Sequence, residues 1–401
     1  MTAPTDLPPS TMNDALEAQL QTLTAAGLKR SLRQVQHRRG GMVMLGGQRV
    51  TDFASNDYLG LAADPRVARA ASAVLQAEGT GAGAARLISG NHPIHERLEH
   101  TLARLKQCEF ALLFPSGYMV NVGAIPALVD ESDVIFSDSL NHASLIDGCR
   151  LARATVRVFP HNDLEALAQM LIAERSQYRR ALIVVEGVFS MDGDLCPLDR
   201  LVPLARRHQA WTYVDDAHGT GVLGEKGAGT LEHFGVASLV DVVVGTLGKA
   251  LGTSGAYVGG SKALVEFLVS SARSFIYTTA SPPAMAAATL EALRIADVET
   301  WRRDAVRDRA RRLRTKLVAS GHELTGPDDG HIVPIPVGDP VRTMRATAEL
   351  RRRGFLVGGV RPPTVPVGTS RLRISLSAVH PIEMVDALAA NVTDVLLRLP
   401  E

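Results

Sequence analysis

From about Phe53 onward, short apolar runs alternate with helix-length stretches, and this alternation restricts the fold more than any other feature of the 401 residues. The runs at 110–114, 134–136, 155–159, 181–185, 211–214 and 241–244 are rich in Val, Leu, Ile and Phe and too short for buried helices. A strand that returns to its sheet through a helix lies parallel to its predecessor. Helices then cover both faces, and the strands read as unbroken apolar runs rather than alternating ones. The expected fold class is α/β, with a mostly parallel sheet in a large domain over 53–283. Residues 1–52 read as an N-terminal helical arm, with leucines at helical spacing over 13–27, a stop at Gly27 and a basic stretch at 29–39. A composition shift at Pro282 and Pro283 begins a linking helix, read over 284–320. It leads into a smaller α+β C-terminal domain, the whole spanning 284–401 and carrying strands at 332–337 and 372–376.

Charge and cysteine content narrow the function classes. Lys plus Arg number 43 against 42 for Asp plus Glu, so the net charge of +1 gives no overall field for nucleic acid or an anionic membrane. No apolar run approaches the length of a membrane span, and residues 1–10 lack the basic-then-apolar order of a signal peptide. Cys108, Cys149 and Cys196 have neither metal-ligand spacing nor the pattern of a disulfide framework. A cytoplasmic protein without a metal is expected.

In a parallel sheet, ligands bind beyond the carboxyl ends of the strands, and these strand ends carry chemistry. The run at 241–244 leads through Gly-Thr-Leu-Gly to Lys249, an amine on a small-residue turn beside the Thr246 hydroxyl. Such a lysine is where an enzyme holds an aldehyde cofactor as a Schiff base. By itself, a solvated turn lysine explains the segment better. Trp-Thr-Tyr-Val-Asp-Asp-Ala-His over 211–218 ends a strand in Asp215 and sets His218 three residues on. A carboxylate in that position suits the pyridinium nitrogen of pyridoxal phosphate. Phe-Pro-Ser-Gly-Tyr over 114–118 turns a strand into a helix whose first amides, near Gly117 and Tyr118, fit a phosphate; taken alone, an ordinary strand-to-helix connection accounts for it better. His142, in Asn-His-Ala-Ser, stands at a helix entrance as a ring to stack on a cofactor or simply as a cap. Glu186 and Ser190 close another strand, and the acids after Met191 lack the loop that calcium requires. The glycines over 79–84 follow a helical stretch, so the dinucleotide fingerprint lacks its context, and no Walker lysine is present. Four strand ends bearing an imidazole, a carboxylate with a serine, a carboxylate with an imidazole, and a lysine are expected to face one crevice.

On these segments the chain resembles the α-oxoamine synthases, a family of fold-type I pyridoxal-phosphate transferases, over nearly its whole length. The resemblance implies pyridoxal 5'-phosphate as cofactor, with Lys249 as its Schiff-base lysine and later proton-transfer base. It implies His142 stacked on the ring, Asp215 at the pyridine nitrogen and His218 at the phenolic oxygen. Gly117, Tyr118, Ser190 and Thr246 match positions that cradle the phosphate or flank the ring. Thr278 and Thr279, in Tyr-Thr-Thr-Ala-Ser-Pro-Pro, match a segment that reaches the phosphate of a partner subunit, which implies a homodimer with shared sites. Asn56, in Ser-Asn-Asp-Tyr-Leu-Gly, matches a substrate-pocket residue, and Arg373 matches the arginine that binds the amino-acid carboxylate.

Within the family, Arg-Pro-Pro-Thr-Val-Pro over 361–366 is most similar to the branch that condenses L-alanine with a pimeloyl thioester in biotin biosynthesis. The resemblance then places Thr364 against substrate and, more loosely, Arg30 near the acyl group, although Lys29 stands where an aromatic residue is common. An acyl carrier protein is a candidate donor, with 29–39 or the arginines over 302–314 as its docking face; solvated surface explains both stretches better. A synthase using glycine or serine is the nearest alternative. A non-catalytic protein that has kept the fold is a further one, disfavoured because each expected reactive side chain is present.

Overall fold

The computed structural model describes residues 11–399; the segment 1–10, read from sequence as free of a signal pattern, lies outside them, as do Pro400 and Glu401. A helix at Met12–Ala25 precedes three short strands, β1 (Val35–Arg39), β2 (Met42–Leu45) and β3 (Gln48–Asp52). Seven strands then form the main sheet: β4 (Phe110–Phe114), β5 (Val134–Asp138), β6 (Thr155–Phe159), β7 (Ala181–Glu186), β8 (Trp211–Asp215), β9 (Val242–Thr246) and β10 (Ala256–Gly260). The last strands are β11 (Ile332–Gly338), β12 (Phe355–Leu356), β13 (Gly358–Val360) and β14 (Ser370–Ser375).

The main sheet runs β4-β10-β9-β8-β7-β5-β6 and is parallel except for β10, which is antiparallel to both neighbours. β5 and β7 are buried along their whole length because helices cover both faces. Ile135, Leu182 and Val184 pack to one side with the helix at Gly117–Leu128, while Phe136, Ile183 and Val185 pack to the other with Leu171 and Leu201. The strand β10, Ala-Tyr-Val-Gly-Gly, is absent from the sequence expectation because a short run ending in two glycines has little strand signal of its own; its neighbours on both sides supply the pairing.

Two further regions differ from expectation. Residues 35–52 are strands rather than helix, turned by Gly46 and Gly47, both at positive φ where a side chain would be strained. β3 pairs in parallel with β12, which ties this hairpin to the C-terminal part of the chain. The single linking helix expected over 284–320 is instead two, Pro283–Val298 and Trp301–Ala319. Glu299 breaks it: its carboxylate accepts from Arg302 Nε at 2.8 Å and from Arg66 Nη2 at 3.2 Å, holding the chain in a non-helical turn.

Below the main sheet lies a buried ion pair. Lys106 is 2% and Asp216 0% exposed, and their charged groups meet at 2.6 Å. Burial opposes the charge on Lys106, but Asp216 outweighs it and holds the amine above its ordinary range. Asp216 also accepts from Thr230 N at 3.1 Å and Thr230 Oγ1 at 2.7 Å, and Lys106 donates to Thr220 Oγ1 at 2.8 Å. Lys106→Ala leaves this carboxylate buried without its cation, so the expected loss is about 3–5 kcal/mol of stability, read as a lowered urea midpoint. An unchanged midpoint would show that the pair does not hold the loop.

Candidate active site

β8 ends at Asp215, and the next residue turns away, so the two consecutive acids serve opposite sides of the sheet. Asp216 goes to Lys106. Asp215 accepts from Asn121 Nδ2 at 2.8 Å and from Ala217 N at 3.1 Å. Asn121 donates as well to Ser144 Oγ at 2.9 Å and accepts from Tyr213 OH at 2.8 Å. Ser144 Oγ meets His142 Nδ1 at 2.8 Å, and the same nitrogen accepts from Ser144 N at 3.2 Å. His142 therefore does cap the helix at Ala143–Leu151, with one edge of its ring, while joining the network around Asp215. Burial lowers its pKa; Asp215 opposes that and Lys249 adds to it.

Lys249 follows β9 on a turn that is seated against the segment after Asn56. Gly252 closes the turn at φ +64°, and a Cβ there would come within 2.3 Å of Ala62 N, so the backbones meet where only glycine fits. Lys249 Nζ lies 2.8 Å from His218 Nε2, and His218 Nδ1 lies 2.6 Å from Tyr58 OH. Burial brings the lysine amine down to about 8; Asp215 and Glu186 resist this, while Arg373 assists it. His218 is pushed well below the ordinary imidazole range by burial and then by the Lys249 and Arg373 charges. Glu186 sits directly opposite Asp215 in the β7–β8 register. Burial, then repulsion from Asp215, raises it to about 8. One of its oxygens accepts from Ser190 N at 3.2 Å, and the other is buried without a partner.

Arg373, on β14, reaches across from the C-terminal sheet. Its Nε donates to Ser190 O at 2.6 Å, and its Nη1 to Asn56 Oδ1 at 3.1 Å and Ser375 Oγ at 2.9 Å. Nη2 is buried and unpaired. The structure thus brings His142, Asp215, His218, Lys249, Ser190, Asn56 and Arg373 into one connected crevice. Gly117 opens the helix capped by Ser116, with open space where a Cβ would stand, and Tyr118 donates to Asp147 Oδ2 at 2.8 Å. Thr246 Oγ1 accepts from Gly248 N at 3.4 Å at the start of the lysine turn. Arg30 Nη2 donates to Thr364 Oγ1 at 3.2 Å, joining two distant segments. Thr278 and Thr279 lie apart, on a partly exposed bend beyond the helix at Arg273–Ile276.

Three residues here had no role assigned from sequence. Asn121 orients Asp215, and its signal was available: it stands four residues after Gly117 on one helix face. Tyr58 contacts His218 from a segment distant in sequence. Glu186 was noted only as a strand-end acid.

The donor set fits pyridoxal phosphate. A carboxylate is aimed by Asn121, an amine is tuned to lose its proton near neutrality, helix-start amides and hydroxyls suit a phosphate, and a guanidinium nitrogen lacks a partner. The family model for class I and II aminotransferases matches residues 48–392. The 8-amino-7-oxononanoate synthase of Alkalilimnicola ehrlichii is 50% identical over 374 residues, covering 93% of this chain and 95% of that one. The chain belongs to the α-oxoamine synthases. Its cofactor is pyridoxal 5'-phosphate, and it is a C-acyltransferase. A serine palmitoyltransferase solved with pyridoxal phosphate superposes on this α-oxoamine synthase with a TM-score of 0.90 at 30% identity, over 95% of this chain and 96% of that one. The 8-amino-7-oxononanoate synthase of Francisella tularensis superposes with a TM-score of 0.75 at 28% identity, over 86% and 97%.

Because Asp215 raises the Lys249 amine, Asp215→Asn is expected to move its titration below pH 8. The pH dependence of Lys249 acetylation, mapped by mass spectrometry on cofactor-free protein, reads this shift. A midpoint near that of ordinary lysine in the unsubstituted chain would contradict the dry crevice.

Proposed function

We infer that this enzyme condenses L-alanine with a pimeloyl thioester to give 8-amino-7-oxononanoate, carbon dioxide and a free thiol, a step of biotin biosynthesis. The observation that carries the choice of substrates is the likeness to 8-amino-7-oxononanoate synthases at half identity over nearly the full length. The loop over 361–366 agrees with it.

When bound, pyridoxal phosphate supplies an electron sink for the charge left at the alanine Cα. Lys249 holds the cofactor and then works as the base: its Nζ takes the proton from Cα and returns one after carbon dioxide has left. An amine near pKa 8 suits both directions. Asp215 pairs with the ring nitrogen, with Asn121 fixing its carboxylate. His142 stacks on the ring, and His218 hydrogen-bonds the phenolic oxygen. Gly117, Tyr118, Ser190 and Thr246 hold the phosphate end. Arg373 anchors the alanine carboxylate through its free Nη2, while Nε and Nη1, bonded to Ser190, Asn56 and Ser375, hold the guanidinium in place. Asn56 lies beside it in the pocket. Arg30 and Thr364, already hydrogen-bonded to each other, bound the acyl end.

The enzyme is a homodimer in which Thr278 and Thr279 complete the partner's phosphate site, a role suited to their partly exposed bend. The functional division is an arm over 1–52, a large cofactor domain over 53–283 and a C-terminal portion over 284–401. The thiol carrier is coenzyme A or an acyl carrier protein, for which the basic stretch 29–39 offers a docking face. Three free thiols agree with a cytoplasmic setting, and among the described residues no helix is long and apolar enough to cross a membrane.

With alanine, glycine and serine offered together, mass spectrometry of the products is expected to find condensation with alanine alone; a glycine or serine product would move the assignment to another branch. Arg373→Ala is expected to raise the KM for alanine on the order of 100-fold, as loss of a buried charge pair does. Lys249→Ala is expected to fold yet retain no cofactor covalently after borohydride treatment. A label fixed elsewhere in that variant would overturn the lysine assignment.

A further inference from the structure

A line of hydrogen bonds joins the anchor at Arg373 to the amine of Lys249, and at its centre the single hydroxyl proton of Tyr58 stands between two acceptors. Arg373 Nη1 donates to Asn56 Oδ1 at 3.1 Å. A guanidinium has no acceptor, so this contact fixes which end of the Asn56 amide carries oxygen. Tyr58 OH lies 3.0 Å from that oxygen and 2.6 Å from His218 Nδ1. His218 Nε2 in turn lies 2.8 Å from Lys249 Nζ.

Tyr58 has one hydroxyl proton for two neighbours. If it donates to Asn56, its oxygen must accept from His218 Nδ1–H, which leaves Nε2 bare, able to accept from a protonated Lys249. If instead it donates to His218 Nδ1, the imidazole proton stands on Nε2 and donates to the lone pair of a neutral Lys249. The two arrangements differ by a single proton, lost from the line to water as Lys249 becomes neutral. Tyr58 stays protonated in both, because burial raises its hydroxyl to about 12. In the first arrangement Asn56 Oδ1 also receives Ser375 Oγ at 3.4 Å, three donors on one oxygen; in the second the shorter Tyr58–His218 contact takes the hydroxyl proton, and the 3.0 Å contact between the Tyr58 and Asn56 oxygens is left without one. The ring of Tyr58 is held for this contact by His331, edge-on at 4.4 Å between centroids, and by Ala378 N donating to its carbonyl at 2.7 Å.

We propose that Tyr58 is a positioning residue whose one hydroxyl proton, shared between Asn56 and His218, sets whether His218 faces Lys249 as acceptor or donor and thereby links the carboxylate anchor to the proton on the base. The inference takes from the proposed function only that Lys249 gains and loses a proton. The charged and titratable groups facing these residues are Asp215 and Glu186 from β8 and β7, Arg373 from β14, and His142 and His331 beside His218. Glu186 titrates in the same range as Lys249, so the imidazole and the amine have to be read directly and not through turnover.

The test uses the full chain freed of cofactor, labelled with ¹⁵N-histidine, with the His218 resonances identified by their loss in His218→Asn. In the unsubstituted protein, His218 is expected to carry its proton on Nδ1 below the Lys249 midpoint and on Nε2 above it. In Tyr58→Phe, Nδ1 has no partner; a bare nitrogen is tolerated there better than a buried unpaired N–H, so the proton stays on Nε2 at every pH. That N–H points at Lys249 and disfavours its charge, so the acetylation midpoint of Lys249 falls by about one unit. A merely structural role predicts the opposite sign, because loosened packing admits water and lets the amine rise toward its ordinary value. One tautomer throughout in the unsubstituted chain, or an unchanged or raised Lys249 midpoint in Tyr58→Phe, overturns the proposal. No substrate enters these measurements, so that failure would leave the proposed reaction untouched.

Discussion

The buried pair of Lys106 and Asp216 is the contact on which the site depends. A charge without solvent needs its partner, and Asp216 meets Lys106 together with the backbone and hydroxyl of Thr230, fixing both ends of the irregular segment from 215 to 230. This segment carries Asp215 at its start and His218 one turn later. Because the two acids are consecutive at a strand end, anchoring Asp216 beneath the sheet directs Asp215 into the crevice above it. One residue is structural and its neighbour chemical, and the first sets the position of the second.

Above the sheet, low access to water changes the acid–base character of Lys249, Glu186, His142 and His218. Burial, with the charge of Asp215 beside it on the neighbouring strand, moves Glu186 up to about 8. Lys249 moves down to the same region, while His142 and His218 are held neutral by burial and nearby cations. Such a crevice holds few fixed charges and several protons that move easily, which suits repeated proton transfer at one carbon. The unpaired Nη2 of Arg373 and the unpaired oxygen of Glu186 mark places where the protein has desolvated a polar group without completing its hydrogen bonds, and bound molecules complete such groups.

The strand ends were legible because a buried parallel strand needs an unbroken apolar run, and where that run stops the backbone reaches the one edge of the sheet open to ligand. His142, Glu186, Asp215 and Lys249 could be read in that way. β10 and the hairpin over 35–52 could not: the former borrows its order from two neighbours, and the latter is amphipathic too weakly to stand out from a basic arm. The break at Glu299 was hidden for a different reason. Ala, Leu and Arg all favour helix, and the break is marked by tertiary contacts, those of the Glu299 carboxylate with Arg66 and Arg302 and that of Arg303 with Ala296 O.

By itself the sequence determined the layered α/β architecture, the strand-end placement of the reactive groups and the family, since each is written in local pattern and in short motifs. Only the tertiary structure decided which groups touch. Tyr58 and His218 are 160 positions apart, and Asn56 and Arg373 are 317 apart, yet each pair is in hydrogen-bonding contact. Contacts of that span depend on how the N-terminal segment lies against β14 and the lysine turn, and packing rather than local propensity sets that arrangement. The tuning of Lys249 belongs to the same category, because desolvation and neighbouring charge exist only once those segments have closed over it.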